Sequence, residues 1–461
     1  MTLIVTSEFE LSRVAPPNLP LATEVYSREY QDQLNNVLRL YFNRLQTILG
    51  QLVASDTSVP ISFPSTAIDA FGRQRVSNPL TLFDSSHRYA DNNLWVNSIT
   101  GTAAATFSAD EGLINMTVGS ASGDQIIRET IKVFSYQPGK SLLVMSTFVF
   151  GPAKTNLRQR AGYYGAANGI YFEREGTTNY MVERSSVTGL VSNTRVAQAD
   201  WNQDRMDGTG PSGLVLDSSK AQILYMDVEW LGLGTVRTGF IINGAFVPCH
   251  NFDHANLVTT TYITTASLPL RYEMTNVGAT GSASTLKQVC STVISEGGYE
   301  LRGAQLTAGN TITAPTTLTT AGTFYPIVSI RLKSTRLDAI VILTAISILG
   351  ITNNANYKWE VVASGTTTGG TWVSAGTNSA VEYNITGTAF SATGGRILAT
   401  GFFQGSNQGS NSVDILKEAL FASQLERNPF TPTAFELTLA CTGASNGNQV
   451  LGSLDWEEIS R

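Results

Sequence analysis

Residues 223–247 place the strongest constraint on what this chain can fold into. Ile223, Tyr225, Asp227 and Glu229 alternate with Leu224, Met226, Val228 and Trp230, a period of two that gives a strand one polar and one apolar face. The next run, Thr235 to Ile242, meets Asn243-Gly244 and returns through Ala245 to Val247. A two-residue turn of this kind needs positive φ at both positions, which Asn and Gly supply at little cost, so the segment predicts a β-hairpin. Further strands are predicted at Leu113–Val118, Gln125–Phe134, Ser141–Phe150, Gly169–Glu173, Asn179–Arg184 and Leu268–Thr275. Strands at this spacing, with no helices between them, predict a sandwich or barrel. A second series follows at Tyr325–Leu332, Asp338–Ile346, Tyr357–Ala363, Ala380–Ile385, Arg396–Phe403 and Ala434–Cys441. One helical insertion is expected near Ser412 to Leu425, with Ser412 as its N-cap.

A different period appears near the start. In Thr23 to Val53 the apolar residues Leu34, Leu38, Tyr41, Leu45, Ile48 and Leu52 are spaced 4, 3, 4, 3 and 4. That is a heptad seam, which needs a partner to bury it. Val37, Phe42 and Leu49 widen the apolar face, which suits a three-stranded bundle or a helix covered by a sheet. Self-association through the six seam residues is the expectation, most simply as a homotrimer.

These patterns divide the chain into an extended docking arm (1–22), an oligomerisation helix (23–55), a linker (56–91), a jelly-roll-like β-sandwich (92–305) and a C-terminal β-sandwich (306–461). Pro16, Pro17 and Pro20 keep the arm extended, and its Leu3, Ile4, Val5, Phe9 and Leu11 need a neighbour to cover them. The expected fold class is thus mainly β, preceded by an arm and a coiled-coil-like helix.

Composition excludes several functions. Asp and Glu number 36 against 30 Lys and Arg, a net charge of −6, and no basic run exists, so nucleic acid is not an expected partner. Charged residues are only 14% of the chain, against about a quarter in average usage. Such a neutral, Ser- and Thr-rich chain suits sheet surfaces that meet other protein. Cys249, Cys290 and Cys441 are too few for a disulfide framework and read as buried free thiols of a reducing compartment. The start, MTLIVTSEFELSR, has neither a basic head nor a long apolar run, so no signal peptide is expected. Ala339 to Ile351, about 13 residues, is too short to span a bilayer, and no membrane insertion is expected.

Candidate chemistry is sparse. Cys249-His250-Asn251-Phe252-Asp253-His254 gathers three ligand types, and His250 and His254 would share one side of an extended segment. Zinc wants three or four converging ligands, and no second cluster supplies them, so loop histidines bonded to backbone are expected. Asp204 and Asp207 lie in WNQDRMDGTGPSG, where a hairpin tip outweighs a carboxylate pair for glycoside hydrolysis or a calcium loop. Three glycine patterns fail in context. Gly208–Gly213 lacks the flanking strand and helix of a dinucleotide loop, and Gly139-Lys140-Ser141 lacks the first glycine of a phosphate loop. Gly443–Gly447 lacks the helix and later His of a nucleophile elbow. Tyr163, Tyr164, Tyr171 and Trp201 are candidate sugar-stacking rings, set against their use as core. No cofactor and no catalytic residue is expected.

Several segments together resemble a known group. FGRQRVSNPLTLFDSSHRY, VEWLGLGTVRTGFIINGAFVPCHNFDHAN, LPLRYEMTN and CSTVISEGGYELRG resemble virion structural proteins of tailed bacteriophages, notably phages of marine cyanobacteria. The resemblance covers nearly the whole chain and implies a place on the tail, baseplate or a fibre-like appendage of a virion assembled in the host cytoplasm. It carries no catalytic residues. It implies a structural, oligomeric component whose arm docks on other virion proteins and which contacts the host surface. The hairpin segment also resembles a lectin-type jelly-roll hairpin, which leads to the alternative of a glycan-binding or glycan-degrading receptor-recognition module.

Overall fold

The computed structural model describes Leu19 and residues 27–56, 78–405, 411–414, 423–431 and 434–460. The chain divides into two units, Met1–Val76 and Ser77–Arg461. In the first, helix α1 spans Arg28–Asp56. It begins where the Ser27 hydroxyl accepts the Tyr30 backbone N–H at 3.3 Å, with Glu29 in the first turn beside the positive end of the helix dipole. Leu34, Leu38, Tyr41 and Leu45 are each partly buried, whereas Leu40 and Phe42 are exposed. The side chains of Ile48 and Leu52 lie outside the described residues, as does the arm apart from Leu19. Among the described residues no helix is long and apolar enough to cross a membrane.

The second unit opens with β1 (Leu80–Ser86), β2 (Trp95–Thr100), β3 (Ala104–Ser108), β4 (Leu113–Val118) and β5 (Gln125–Thr130). Then come β6 (Leu142–Val149), β7 (Lys154–Tyr164), β8 (Gly169–Gly176), β9 (Thr178–Ser185) and β10 (Ser192–Ala197). This sandwich ends with β11 (Gln222–Val228), β12 (Val236–Ile242), β13 (Ala245–Phe252), β14 (Leu270–Asn276) and β15 (Ser284–Ser295). The first sheet has the order β13-β12-β11-β6-β15-β4-β3, with β1 also on β15. The second has the order β10-β9-β8-β7-β14-β5-β2. All pairs are antiparallel, and consecutive strands often fall in opposite sheets, as in a jelly roll. The predicted hairpin is β12–β13, with Asn243 at φ 51° and Gly244 at φ 81°.

The two sheets face each other across one apolar core. Met116, Val144, Phe148, Leu224 and Met226 of the first meet Ile126, Tyr163, Phe172, Met181 and Tyr272 of the second. Phe148, Phe150 and Phe172 stack with centroids 4.4–6.0 Å apart. Burying rings of this size contributes on the order of 2–3 kcal/mol each.

A second sandwich follows. Its strands are β16 (Ala304–Gly309), β17 (Thr316–Leu318), β18 (Tyr325–Leu332), β19 (Ile340–Gly350), β20 (Asn356–Thr368) and β21 (Val373–Ser374). The rest are β22 (Val381–Asn384), β23 (Ala389–Ser391), β24 (Arg396–Gln404), β25 (Asn411–Asp414), β26 (Glu436–Gly443) and β27 (Asn448–Ser460). One sheet runs β16-β27-β19-β25 with β17 on β27, and the other runs β21-β22-β18-β26-β20-β23 with β24 on β20. Ile327, Val328, Val361 and Leu439 pack with Leu343, Ile346, Leu454 and Trp456 between them.

Three expectations change. Part of the helix expected near Ser412 to Leu425 is a strand, because Asn411–Asp414 pairs with β19, and residues 415–422 lie outside the described residues. The stretch before the first expected strand is more than a loop, since β1 pairs with β15 there. Cys290 is exposed, on the outer face of β15, while Cys249 and Cys441 are buried.

Candidate ligand-binding cleft

The residues singled out by sequence go to several places. Tyr163 and Tyr164 are fully buried and Trp201 is 3% exposed, so none of the three presents a ring face to a sugar, and Tyr171 is equally buried. Tyr163 sits in the core and donates its hydroxyl to the Ala266 carbonyl at 2.7 Å. Trp201 donates to the Val196 carbonyl at 3.2 Å. Asp204 and Asp207 fold a hairpin tip: Asp204 accepts the N–H groups of Met206 and Ser212, and Asp207 that of Thr209.

His250 and His254 separate. His250 Nδ1 accepts the Asn202 N–H at 3.3 Å, and burial pulls its pKa down. His254 lies 2.6 Å from the Gly234 carbonyl through Nδ1 and 2.7 Å from Glu183 through Nε2. Among the described residues no three His, Cys, Asp or Glu side chains gather as a metal site.

The outer face of the second sheet carries a charge lattice that sequence spacing could not place. Arg160 reaches Glu173 at 2.5 Å and Glu273 at 2.9 Å, and Arg195 pairs with Glu173 and, at 2.6 Å, with Glu175. Tyr164, Tyr171 and Val182 fill the space beside it, under the Arg184 guanidinium. Glu173 and Glu273 are buried, and Arg160 joins both. The carboxylates on this face are thus already held by cations.

An open concavity lies elsewhere, at one end of the first sheet. A turn in which the Lys140 N–H bonds the Gln137 carbonyl leads into β6, next to β11 and β12. Asp227 on β11 is in register with Arg237 on β12 and with Leu143 on β6. The β11–β12 connection bends sharply, with Leu231 at φ 41° and Gly232 at φ 84°. A bulky residue rarely adopts that conformation. Here the turn leaves Leu231 58% exposed on the rim. The Tyr136 hydroxyl steadies the bend by accepting the N–H groups of Trp230 and Leu231, at 3.2 and 3.3 Å.

These elements enclose an open cleft of about 690 Å³, with Lys140, Ser141, Asp227, Glu229, Arg237 and Leu231 among its walls. One oxygen of Asp227 is held by Arg237, and the other, Oδ1, is buried with no hydrogen-bond partner among the described residues. Burial raises the Asp227 pKa, Arg237 opposes this, and the nearby Glu296 adds to the rise. Glu229 is exposed, and the Ser141 hydroxyl donates to Glu296 at 2.8 Å. The cleft therefore offers carboxylate acceptors, cationic donors and one apolar edge within a single concavity. Alternation along β11 put Asp227 and Glu229 on one face, but nothing in the Gly139-Lys140-Ser141 turn or the strand predicted from Ser141 pointed to this cleft.

No family model matches this chain, and no curated protein matches it. Among solved structures, the Bacillus licheniformis β-glucanase is similar at 11% identity, covering 46% of this chain and 96% of its own, with a TM-score of 0.32. Peanut lectin is similar at 10% identity, covering 48% and 98%, with a TM-score of 0.28. The carbohydrate recognition domain of Emp47p is similar at 10% identity, covering 51% and 99%, with a TM-score of 0.28. Likeness at this level carries no argument about ligand or reaction, and what the cleft binds has to be argued from its own groups.

Proposed function

We propose that this chain is a glycan-recognition protein, carried as an oligomeric structural component of a tailed-phage particle and binding without cleaving. The observation that carries the recognition reading is the cleft. A sugar hydroxyl both donates and accepts, so it donates to the exposed carboxylate of Glu229 while taking a bond from Lys140 or Arg237. Leu231 on the rim suits the apolar C–H face of a ring. The particle and the self-association rest on the sequence resemblance and on the seam of α1.

The test is binding of the full chain to polysaccharide from candidate host surfaces, with Asp227→Asn and Glu229→Gln beside the parent. Losing one charge-assisted hydrogen bond should weaken binding roughly ten- to a hundredfold in Glu229→Gln. Equal binding by parent and both variants would place recognition elsewhere on the molecule. Release of oligosaccharide during the incubation would replace the binding reading with glycan degradation.

A further inference from the structure

One end of the first sandwich carries an apolar surface beside the cleft. Three connections meet there: residues 186–191 between β9 and β10, 229–235 between β11 and β12, and 253–269 between β13 and β14. They are stitched to one another. The Asn168 side-chain oxygen accepts the N–H groups of Ser186 and Thr264, each at 3.2 Å. His254 lies between the Gly234 carbonyl and Glu183 of β9, and the Tyr262 N–H bonds the Gly232 carbonyl at 3.1 Å. The Trp230 ring N–H reaches the Ile263 carbonyl at 3.4 Å. The three connections therefore form one preformed surface, which pays little ordering entropy on binding.

Five aliphatic side chains stand out from it. Leu190 is 78% exposed and Leu257 72%, and Val191, Leu233 and Val258 are exposed as well. Tight turns carry them outward. The Gly189 N–H bonds the Ser186 carbonyl at 2.9 Å, and the Leu257 N–H bonds the His254 carbonyl at 3.0 Å, with Asn256 at φ 65°. Leu231, on the same turn as Leu233, belongs to the wall of the cleft. Scattered exposed aliphatics are ordinary, but several gathered on one rigid end mark an interaction surface.

Charge decides what covers this surface. Residues 185–194, 230–236 and 254–268 contain no Asp, Glu, Lys or Arg, and none of their aromatic rings is exposed. Glycan binding would call for charged donors or stacking rings, and a lipid surface for basic or aromatic side chains at its headgroups; neither set is exposed in these stretches. A foreign protein steered by charge finds nothing here to pair with. A second copy differs in kind. Around a rotation axis the same groups approach one another, so a charged face repels itself and a neutral aliphatic face does not. We infer that this end of the sandwich docks on a second copy of this chain, with Leu190, Val191, Leu233, Leu257 and Val258 at the contact. The inference rests on the self-association proposed above and gives it a contact outside α1.

Hydrogen–deuterium exchange of the full chain tests it, run where light scattering reports the oligomer and again after dilution to the single chain. Peptides covering 186–191 and 255–260 should exchange roughly tenfold or more slowly in the oligomer. Leu190→Asp with Leu257→Asp, both at exposed side chains, should remove the protection, read at residues 230–235, which carry neither substitution. Where the oligomer survives dilution, this double variant is the uncontacted reference. Binding of polysaccharide should be the same in parent and variant. Equal exchange of these peptides in oligomer and reference would overturn the inference and leave oligomerisation standing. A parent that is a single chain at every concentration would remove both. Protection that appears only with phosphatidylcholine vesicles, or only with another virion protein, would assign the surface to that partner and overturn the inference.

Discussion

His254 has an acceptor within hydrogen-bond reach of each ring nitrogen, Gly234 and Glu183, so satisfying both requires the doubly protonated imidazolium. Its ring also stacks on Tyr262, with centroids 3.8 Å apart. Burial lowers its pKa, but the hydrogen bonds to Glu183 and the Gly234 carbonyl outweigh that and raise it above 6.5. The stability it contributes is therefore complete below pH 6.5 and is lost as pH rises through the folded-state pKa. His87 is the reverse case. Burial, with the Arg128 guanidinium beside it, brings its pKa down to about 4 against the pull of Asp91. The folded chain needs it neutral, so its contribution is complete above pH 6.5 and is lost as pH falls toward about 4. Thermal melts across pH 4 to 8 should show His87→Met flattening the acid side and His254→Gln the alkaline side. Parallel curves for parent and variants would mean that neither histidine is linked to folding. Sequence placed His254 near Asp253 but could not show Glu183, which lies on another strand.

Three central strands, β7, β15 and β27, escaped the sequence reading, and in each of them polar groups occupy some of the buried positions beside apolar residues such as Tyr163, Leu286 and Trp456. On β15 the inward face includes Ser284, Gln288, Ser291 and Ser295, and Gln288 accepts the Arg128 guanidinium at 2.6 Å. On β7, Arg158 and Arg160 stand beside the buried Glu273, and on β27 the buried Glu458 accepts the Ala380 N–H at 2.8 Å. Alternation of apolar and polar residues is blurred where buried polar groups on a strand are satisfied by distant partners. The β12–β13 hairpin needed no such help, because its turn residues decide it locally. Helix α1 poses its own test at this scale. Leu38→Asp with Leu45→Asp puts charge into the seam, which costs several kcal/mol per site if a partner helix buries it. Light scattering should then report a smaller mass for the double variant, and an unchanged mass would remove α1 as the oligomer interface.

Over the whole second unit, the strap at residues 423–431 does what neither sandwich does alone. It adds an isolated bridge between Gln424 and Ile342 of β19, and Gln424 donates its side chain to the Val133 carbonyl at 2.8 Å. Glu129 lies under it, shared by Arg271 and Arg427. Glu129→Gln would leave two buried guanidiniums without their common counter-charge, and removing one partner of a buried pair typically costs about 3–5 kcal/mol. Calorimetry should show a lower unfolding temperature for this variant. An unchanged temperature would mean that water, and not Glu129, balances the two arginines.

What the sequence determined by itself was local: the period of two along β11, the Asn-Gly turn after β12 and the amphipathic period of α1. Each depends on residues within a few positions of one another, and backbone sterics and side-chain direction act over that range. It also indicated, from strand-like segments at close spacing without helices between them, a protein built from sheets. Only the tertiary structure decided where the polar groups lead. Lys140 and Asp227 share a cleft because β6 pairs with β11, and Glu129 meets Arg427 because the strap of one sandwich crosses the other. It also withdrew Tyr163, Tyr164 and Trp201 from the surface, since the strands carrying them or packing against them bury their rings. Side-chain chemistry is written in the chain, but whether a carboxylate faces water, an arginine or a cleft depends on strands far apart in sequence.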